Sequence, residues 1–173
     1  MNTNICLRKL EEKDIPGMLE WMHDPEINRW FRFDAANMTE EKARDFIQKS
    51  FTESSRHYAI SDETGEYFGT ASIEEIDHEN GHALFAITLR SRAIDTGAGS
   101  AATQMILQIA FGELGLQRVY SNILADNIRS RKLVERNGFR YEGCFRSHLK
   151  LRGEWRDLVW YSILRDEYND RDH

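Results

Sequence analysis

Cysteine, long apolar runs and excess positive charge are all missing or scarce in this chain. Two cysteines, Cys6 and Cys144, lie far apart among 173 residues. They fall outside any CxxC or metal-ligand spacing, so neither a disulfide framework nor a metal site is expected. No apolar run approaches the roughly 20 residues that cross a bilayer. The first residues lack the apolar segment of a secretory signal, so a cytoplasmic protein without membrane contact is expected. Lys and Arg number 23 against 29 Asp and Glu, a formal net charge of −6. That balance argues against nucleic-acid binding and suits a cationic partner. A Lys-bearing phosphate loop is absent too, which sets aside P-loop nucleotide chemistry.

What is present is an apolar fraction of 40%, spread without repeats or linkers. It is enough for one core, and one domain over residues 1–173 is expected. Alternation from Ile5 to Leu10 predicts a first strand. Ile15, Met18, Leu19 and Met22 recur at helical spacing, and that helix should end before Pro25. Residues 28–33 are aromatic and basic and read as a loop, either a lid on the core or one wall of a substrate pocket. Thr39 caps a second helix, with Glu40 and Glu41 at its positive end. Strands follow at 57–60, 67–76 and 82–89, the last two joined by a turn at Asn80-Gly81. A third helix carries Ala102, Ile106, Ile109 and Ala110 and stops at Gly115. Then come a strand at 118–124, a fourth helix, and strands at 139–145 and 155–164, joined by a reach containing Arg152-Gly153. The charged tail from Asp166 is expected to fray. This order gives an α/β fold with a single mixed, mostly antiparallel sheet of about seven strands and about four flanking helices.

The stretch 126–139 organises the rest. Asp126 or Asn127 can cap the fourth helix, and Asn137-Gly138 supplies its left-handed stop. Asn127 and Ser130 share one face of the first turn, where free N–H groups and the helix dipole favour anions. A capped amphipathic helix accounts for the same residues without any function.

The pattern Asn127-x-x-Ser130-x-x-Leu133-x-Glu135-x-x-Gly138-Phe139 resembles the second cofactor motif of the GNAT N-acetyltransferase superfamily. The similarity is to the branch that holds ribosomal-protein N-terminal, polyamine and amino-sugar acetyltransferases, and the order of elements agrees along nearly the whole chain. The resemblance implies acetyl-coenzyme A (acetyl-CoA) as acyl donor. It assigns the loop after the fourth strand to the pyrophosphate, with Arg92, Thr96, Gly97, Ala98, Gly99 and Ser100 as cofactor-binding residues. Ile87, Thr88 and Leu89 of the splayed fourth strand, and Asn127 and Ser130, complete that set. Two positions depart from the family pattern. Ile94 stands where an Arg or Gln is usual, and Asp95 where a Gly often stands. Both are expected to weaken phosphate binding unless Arg90 or Arg92 compensates.

Acetyl transfer needs a neutral amine, a donor for the developing oxyanion and a proton for the thiolate. The resemblance implies a backbone N–H near Leu89 as oxyanion donor. The Tyr that many relatives carry seven residues after the motif Asn is Val134 here, so Ser130 is the expected acid. Glu75, at the end of the third strand, is the expected base, with Trp30, Phe31 and Glu74 binding substrate. Glu154 and Asp157 are weaker alternatives. The reading that follows is an N-acetyltransferase acting on the primary amine of a small molecule, as a monomer or homodimer. Acetylation of a protein N-terminus and a degenerate acyl-CoA-binding module without turnover are the alternatives.

Overall fold

A computed structural model describes residues 4–169. The elements run β1 (Ile5–Lys9), α1 (Ile15–His23), α2 (Pro25–Asn28), α3 (Glu40–Gln48), β2 (Arg56–Asp62), β3 (Tyr67–Asp77), β4 (His82–Leu89), α4 (Ala98–Gln108), β5 (Arg118–Leu124), α5 (Ile128–Arg136), β6 (Arg140–Leu151), β7 (Glu154–Leu164) and α6 (Arg165–Asn169). Seven strands form one sheet in the order β1-β2-β3-β4-β5-β7-β6. Every neighbouring pair is antiparallel except β4 and β5, which are parallel. The expected α/β class, strand number and mixed sheet are all present, with four helices of nine or more residues and two short ones.

Helices pack on both faces of the sheet, and β6 at its far edge stays largely exposed. On one face Ala102, Ile106 and Ala110 of α4 and Val134 of α5 pack on Ile60, Ile73, Phe85, Val119 and Ile163. On the other face Met18, Trp21 and Met22 of α1 meet Ala59 and Tyr67, with Phe46 and Ile47 of α3 alongside. Burying each such large apolar side chain is worth roughly 1.5–3 kcal/mol. Trp21 also finds a polar partner, its Nε1 donating to the Tyr67 hydroxyl at 2.9 Å.

Three expectations need correction. The sixth strand continues past Phe145 to Leu151, and the last connection is a tight hairpin rather than a longer reach. Arg152 and Gly153 both have positive φ, 49° and 85°, as a two-residue turn between twisted strands demands. Residues 25–28 at the edge of the expected loop form α2, started by Pro25 and capped by Asp24, whose carboxylate accepts from the Glu26 N–H at 2.9 Å. The tail expected to fray from Asp166 is helical to Asn169, and the Tyr168 ring lies 5.3 Å from that of Phe111. The rest of that tail, 170–173, lies outside the described residues.

The feature that positions the site is the parting of β4 from β5. Their parallel register covers His82–Arg118, Ala83–Val119 and Leu84–Tyr120 only. Beyond it β4 stays with β3 as far as Leu89, and β5 stays with β7 as far as Leu124. A wedge opens between the C-terminal halves of the two strands, and α4 and α5 start at the top of its two walls.

Candidate active site

The wedge walls carry unpaired backbone. The Ala86 carbonyl accepts from Ser72 Oγ at 3.5 Å, so this residue faces β3. The Thr88 carbonyl lies against Gly69 of β3, where an added Cβ would stand 2.1 Å from it. Because hydrogen-bonding direction alternates along an antiparallel edge, Ile87 and Leu89 turn their N–H and C=O groups into the wedge. Of the three expected β4 residues, Ile87 and Leu89 therefore offer backbone groups there, and Thr88 gives its own to β3.

Past Leu89 the chain turns through Ser91–Ala93 into α4. Asp95 has φ of 61° and Gly97 of 93°. Asp95 thus adopts the left-handed shape that a glycine would take at no steric cost, which an Asp tolerates better than most residues. Nothing lies within 4 Å of a Cβ built on Gly97, so conformation and not space calls for glycine there. At Gly99 the reason is space: its added Cβ would meet Leu89 Cδ1 at 3.2 Å and Leu133 Cδ1 at 3.4 Å. Thr96 Oγ1 donates to the Ala93 carbonyl at 2.8 Å and accepts from the Ala98 N–H at 3.4 Å. The N–H groups of Gly99 and Ser100 have no acceptor among the described residues. An 11-residue helix with two free donors, entered through left-handed Asp95 and Gly97, fits a pyrophosphate.

Arg90 and Arg92 both pair with carboxylates in this structure. Arg90 Nη1 reaches Glu66 at 3.0 Å and the Tyr67 carbonyl at 2.9 Å, and its other nitrogens bind Glu20. Arg92 pairs with Glu66 as well. Both guanidiniums are thereby drawn to carboxylates, and the groups left without a partner among the described residues at the start of α4 are backbone N–H donors.

On the opposite wall Asn127 caps α5, its Oδ1 accepting from the Ser130 N–H at 3.2 Å. The Ser130 hydroxyl has no partner among the described residues and is half-buried. Val134 is buried in the core, which explains why no hydroxyl-bearing ring stands at that position. The Asn of Asn137-Gly138 does more than stop the helix. Asn137 is 3% exposed, and its Nδ2 donates to Ser100 Oγ at 3.2 Å and to the Leu133 carbonyl at 2.8 Å. Its Oδ1 accepts from Gln104 at 2.9 Å, so this one amide ties α4 to α5. Arg131 ties α5 to the sheet instead, donating to the Ala125 carbonyl at 2.9 Å and to the Tyr161 hydroxyl of β7 at 3.0 Å.

The other face of the sheet carries a different set. Glu75 sits in an irregularity of β3 between Glu74 and Asp77, with φ of 51°, and its side chain is exposed. Its Oε2 accepts from the Tyr120 hydroxyl at 2.6 Å, and its Oε1 has no partner among the described residues. Tyr120 pairs with Leu84 at the last rung before the wedge opens. Burial, followed by the bond to Glu75, raises the Tyr120 pKa well above the usual phenol range, so the hydroxyl stays a donor. Trp160 stacks on the Tyr120 ring with centroids 5.3 Å apart.

Glu74 is engaged instead: its Oε1 accepts from Ser72 Oγ at 2.6 Å and lies 3.8 Å from His57 Nδ1. Burial lowers the His57 pKa, and Glu74 partly opposes that shift. Trp30 packs toward Leu124, Leu151 and Leu158, Phe31 lies 5.1 Å from the Trp21 ring, and both loop aromatics stay partly exposed. Their neighbour Arg32 reaches the sheet, where its Nη2 donates to Asn122 Oδ1 at 2.6 Å. Arg32, Tyr120 and Asn122 were not selected from the sequence. The legible signal for the β5 pair was alternation on one strand face, and for Arg32 its place in the aromatic, basic loop. Among the weaker candidates, Asp157 accepts from the Ser147 N–H at 2.7 Å and so holds the β6 irregularity. No group of metal-ligating side chains occurs among the described residues.

Residues 4–140 match the model of the acetyltransferase (GNAT) domain. The chain is 30% identical over 169 residues to an uncharacterized N-acetyltransferase, p20, of Bacillus licheniformis, covering 95% of this chain and 94% of that one. It is 28% identical to the putative ribosomal N-acetyltransferase YdaF of Bacillus subtilis, over 97% of this chain and 95% of the relative. Among solved structures, a spermidine N-acetyltransferase from Vibrio cholerae in complex with CoA and spermine superposes with a TM-score of 0.86. That likeness spans 95% of this chain and 98% of the other, at 20% identity. The chain belongs to the GNAT acetyltransferase family, whose acyl donor is acetyl-CoA.

Proposed function

We propose that the protein moves the acetyl group of acetyl-CoA to the primary amine of a small molecule. The observation that carries this reading is the pairing of Tyr120 with Glu75 where β4 and β5 part, leaving Glu75 Oε1 free. Bound in the wedge, acetyl-CoA supplies an activated acyl thioester whose C–S bond is replaced by an amide N–C bond.

The residues then divide the work. Gly97, Gly99, Ser100 and the α4 N-terminus hold the pyrophosphate through backbone N–H groups. Ile87 and Leu89 direct backbone groups at the acyl end of the wedge, and the Leu89 N–H is the donor placed to stabilise charge developing on the acyl oxygen. Glu75 accepts the proton that the amine must lose. Tyr120 fixes the carboxylate and keeps one oxygen clear for that task. Ser130, with an unengaged hydroxyl on the α5 wall, is placed to protonate the leaving thiolate. Ile94 and Asp95 remove a side-chain donor and add a negative charge, and the backbone cradle remains intact around them.

A protein N-terminus is the second reading, and one observation favours it. Beside the acceptor face lies an open depression of about 190 Å³ lined by Glu142, Gly143, Phe145 and Trp160. An extended peptide has room there. Two free cysteines, one of them exposed, suit the cytoplasm as the place of action.

Calorimetric titration of the full chain with acetyl-CoA, followed by thiol release on an amine panel, tests the reading. One-to-one binding and turnover of small amines are expected. Absence of binding at millimolar acetyl-CoA overturns the cofactor assignment. Turnover confined to peptides with a free N-terminus selects the second reading.

A further inference from the structure

We infer that the acceptor bears an anionic group, a carboxylate or phosphate, beside its amine, and that Arg32 binds this anion. The inference rests on Glu75 being the carboxylate that faces the amine.

The placement of Arg32 is built rather than incidental. Its loop is pinned at the base by Arg152, whose guanidinium donates to the carbonyls of Arg29 at 2.8 Å and Asn28 at 2.9 Å. Arg32 itself crosses to β5 and binds Asn122 twice, at Oδ1 (2.6 Å) and at the backbone carbonyl (3.3 Å). Asn122 and Tyr120 are two residues apart on one strand, so they present side chains on the same face about 6.5–7 Å apart. Tyr120 holds Glu75, so the cation and the base stand side by side over the opening wedge.

The charge balance at that place is uneven. No carboxylate lies within ion-pair distance of Arg32 among the described residues. Both recorded bonds leave from Nη2, which leaves the remaining guanidinium donors available. Loss of hydration against the sheet lowers the Arg32 pKa, and the field of Glu75 works the other way. Arg32 stays open to solvent without a carboxylate partner among the described residues, and its planar fork suits carboxylate and phosphate alike.

The test uses full-length protein, acetyl-CoA and thiol release on matched pairs: leucine with 3-methylbutylamine, phenylalanine with phenethylamine, and glucosamine 6-phosphate with glucosamine. The expected result is a higher kcat/KM for the anionic member of at least one pair. The pair that responds tells carboxylate from phosphate. In Arg32→Gln the ratio within that pair falls by at least roughly tenfold, the worth of a charge-assisted bond. Arg32→Lys restores part of it, and melting temperatures of both variants check that the loop stays folded. Preference for the neutral members, or an unchanged ratio in Arg32→Gln, overturns the inference and leaves the small-amine reading standing. If acetyl-CoA binds and no member of any pair is acetylated, the small-amine reading falls and this inference with it.

Discussion

The two faces of the wedge are held by different kinds of contact. On the cofactor face the working groups are backbone, and they lie close together in sequence. Asp95, Gly97, Gly99 and Ser100 span six residues, and Asn127 caps the helix that carries Ser130 three residues on. On the acceptor face the working groups are side chains drawn from distant parts of the chain. Arg32 meets Asn122 across 90 residues, Tyr120 meets Glu75 across 45, and Arg152 meets Asn28 across 124. The difference is chemical: a row of free N–H groups suits any diphosphate, and on the proposed reading it is the side chains at fixed positions that would discriminate among amines.

Substitutions on each face should therefore fail in different ways. The largest effect is expected for Glu75→Gln. The Tyr120 bond survives on the amide oxygen, the fold loses no more than about 0.5 kcal/mol at this exposed site, and kcat/KM falls by roughly 10²–10⁴. Unchanged turnover at an unchanged melting temperature would remove Glu75 from the mechanism. Gly69→Ala breaks the comparison by striking both faces together. Its Cβ would stand 2.1 Å from the Thr88 carbonyl and 2.9 Å from Leu89 Cα, so β3 and β4 must separate. A loss of about 3 kcal/mol in urea unfolding is expected, with weaker acetyl-CoA binding and higher acceptor KM alike.

That contrast also explains what the sequence disclosed. Helix caps, left-handed glycines and strand alternation are rules over a few residues, and they located α4, α5 and the seven strands. Asp95 was legible as a departure. Its left-handed backbone, which makes it a stand-in for glycine, needed coordinates. The acceptor face was not legible because nothing local ties residue 32 to residue 122. Trp30 and Phe31 drew attention as aromatics and pack partly against the core, and the neighbouring Arg32 reaches the sheet. The length of β6 escaped for a related reason. Its irregularities at Tyr141/Gly143 and Phe145/Leu149 interrupt the alternation by which a strand is recognised.

Two smaller effects sharpen the cofactor side. Asn137→Ala removes the amide that joins Ser100 and Gln104 of α4 to Leu133 of α5. Buried partners lose about 1–3 kcal/mol, and the acetyl-CoA Kd should rise more than the acceptor KM, because the two phosphate-side helices lose their spacing. Equal changes in both constants, by calorimetry and initial rates, would show that the tie serves stability alone. Asp95→Gly should act in the opposite direction. It relieves a left-handed non-glycine residue, and the added freedom of the unfolded chain offsets that gain, so the melting temperature barely moves. Removing one negative charge beside a phosphate in water is worth roughly 0.5–1 kcal/mol, which predicts acetyl-CoA binding tighter by about two- to fivefold.

The smallest expected effect lies beneath the acceptor face and is read by pH. His57 is packed under the Phe46 ring, at a centroid distance of 4.8 Å, and 3.8 Å from Glu74. Burial depresses its pKa below the ordinary value near 6.5, and Glu74 opposes the shift without cancelling it. The unfolded chain takes up a proton below about pH 6.5 that the folded state resists. The stability that His57 contributes is thus present above that pH and is lost as pH falls through the folded pKa. His57→Gln removes the titration, so its melting temperature should fall less than that of the parent between pH 7 and pH 5. A steeper loss in the variant would mean that Glu74 outweighs burial and that His57 is charged in the folded protein.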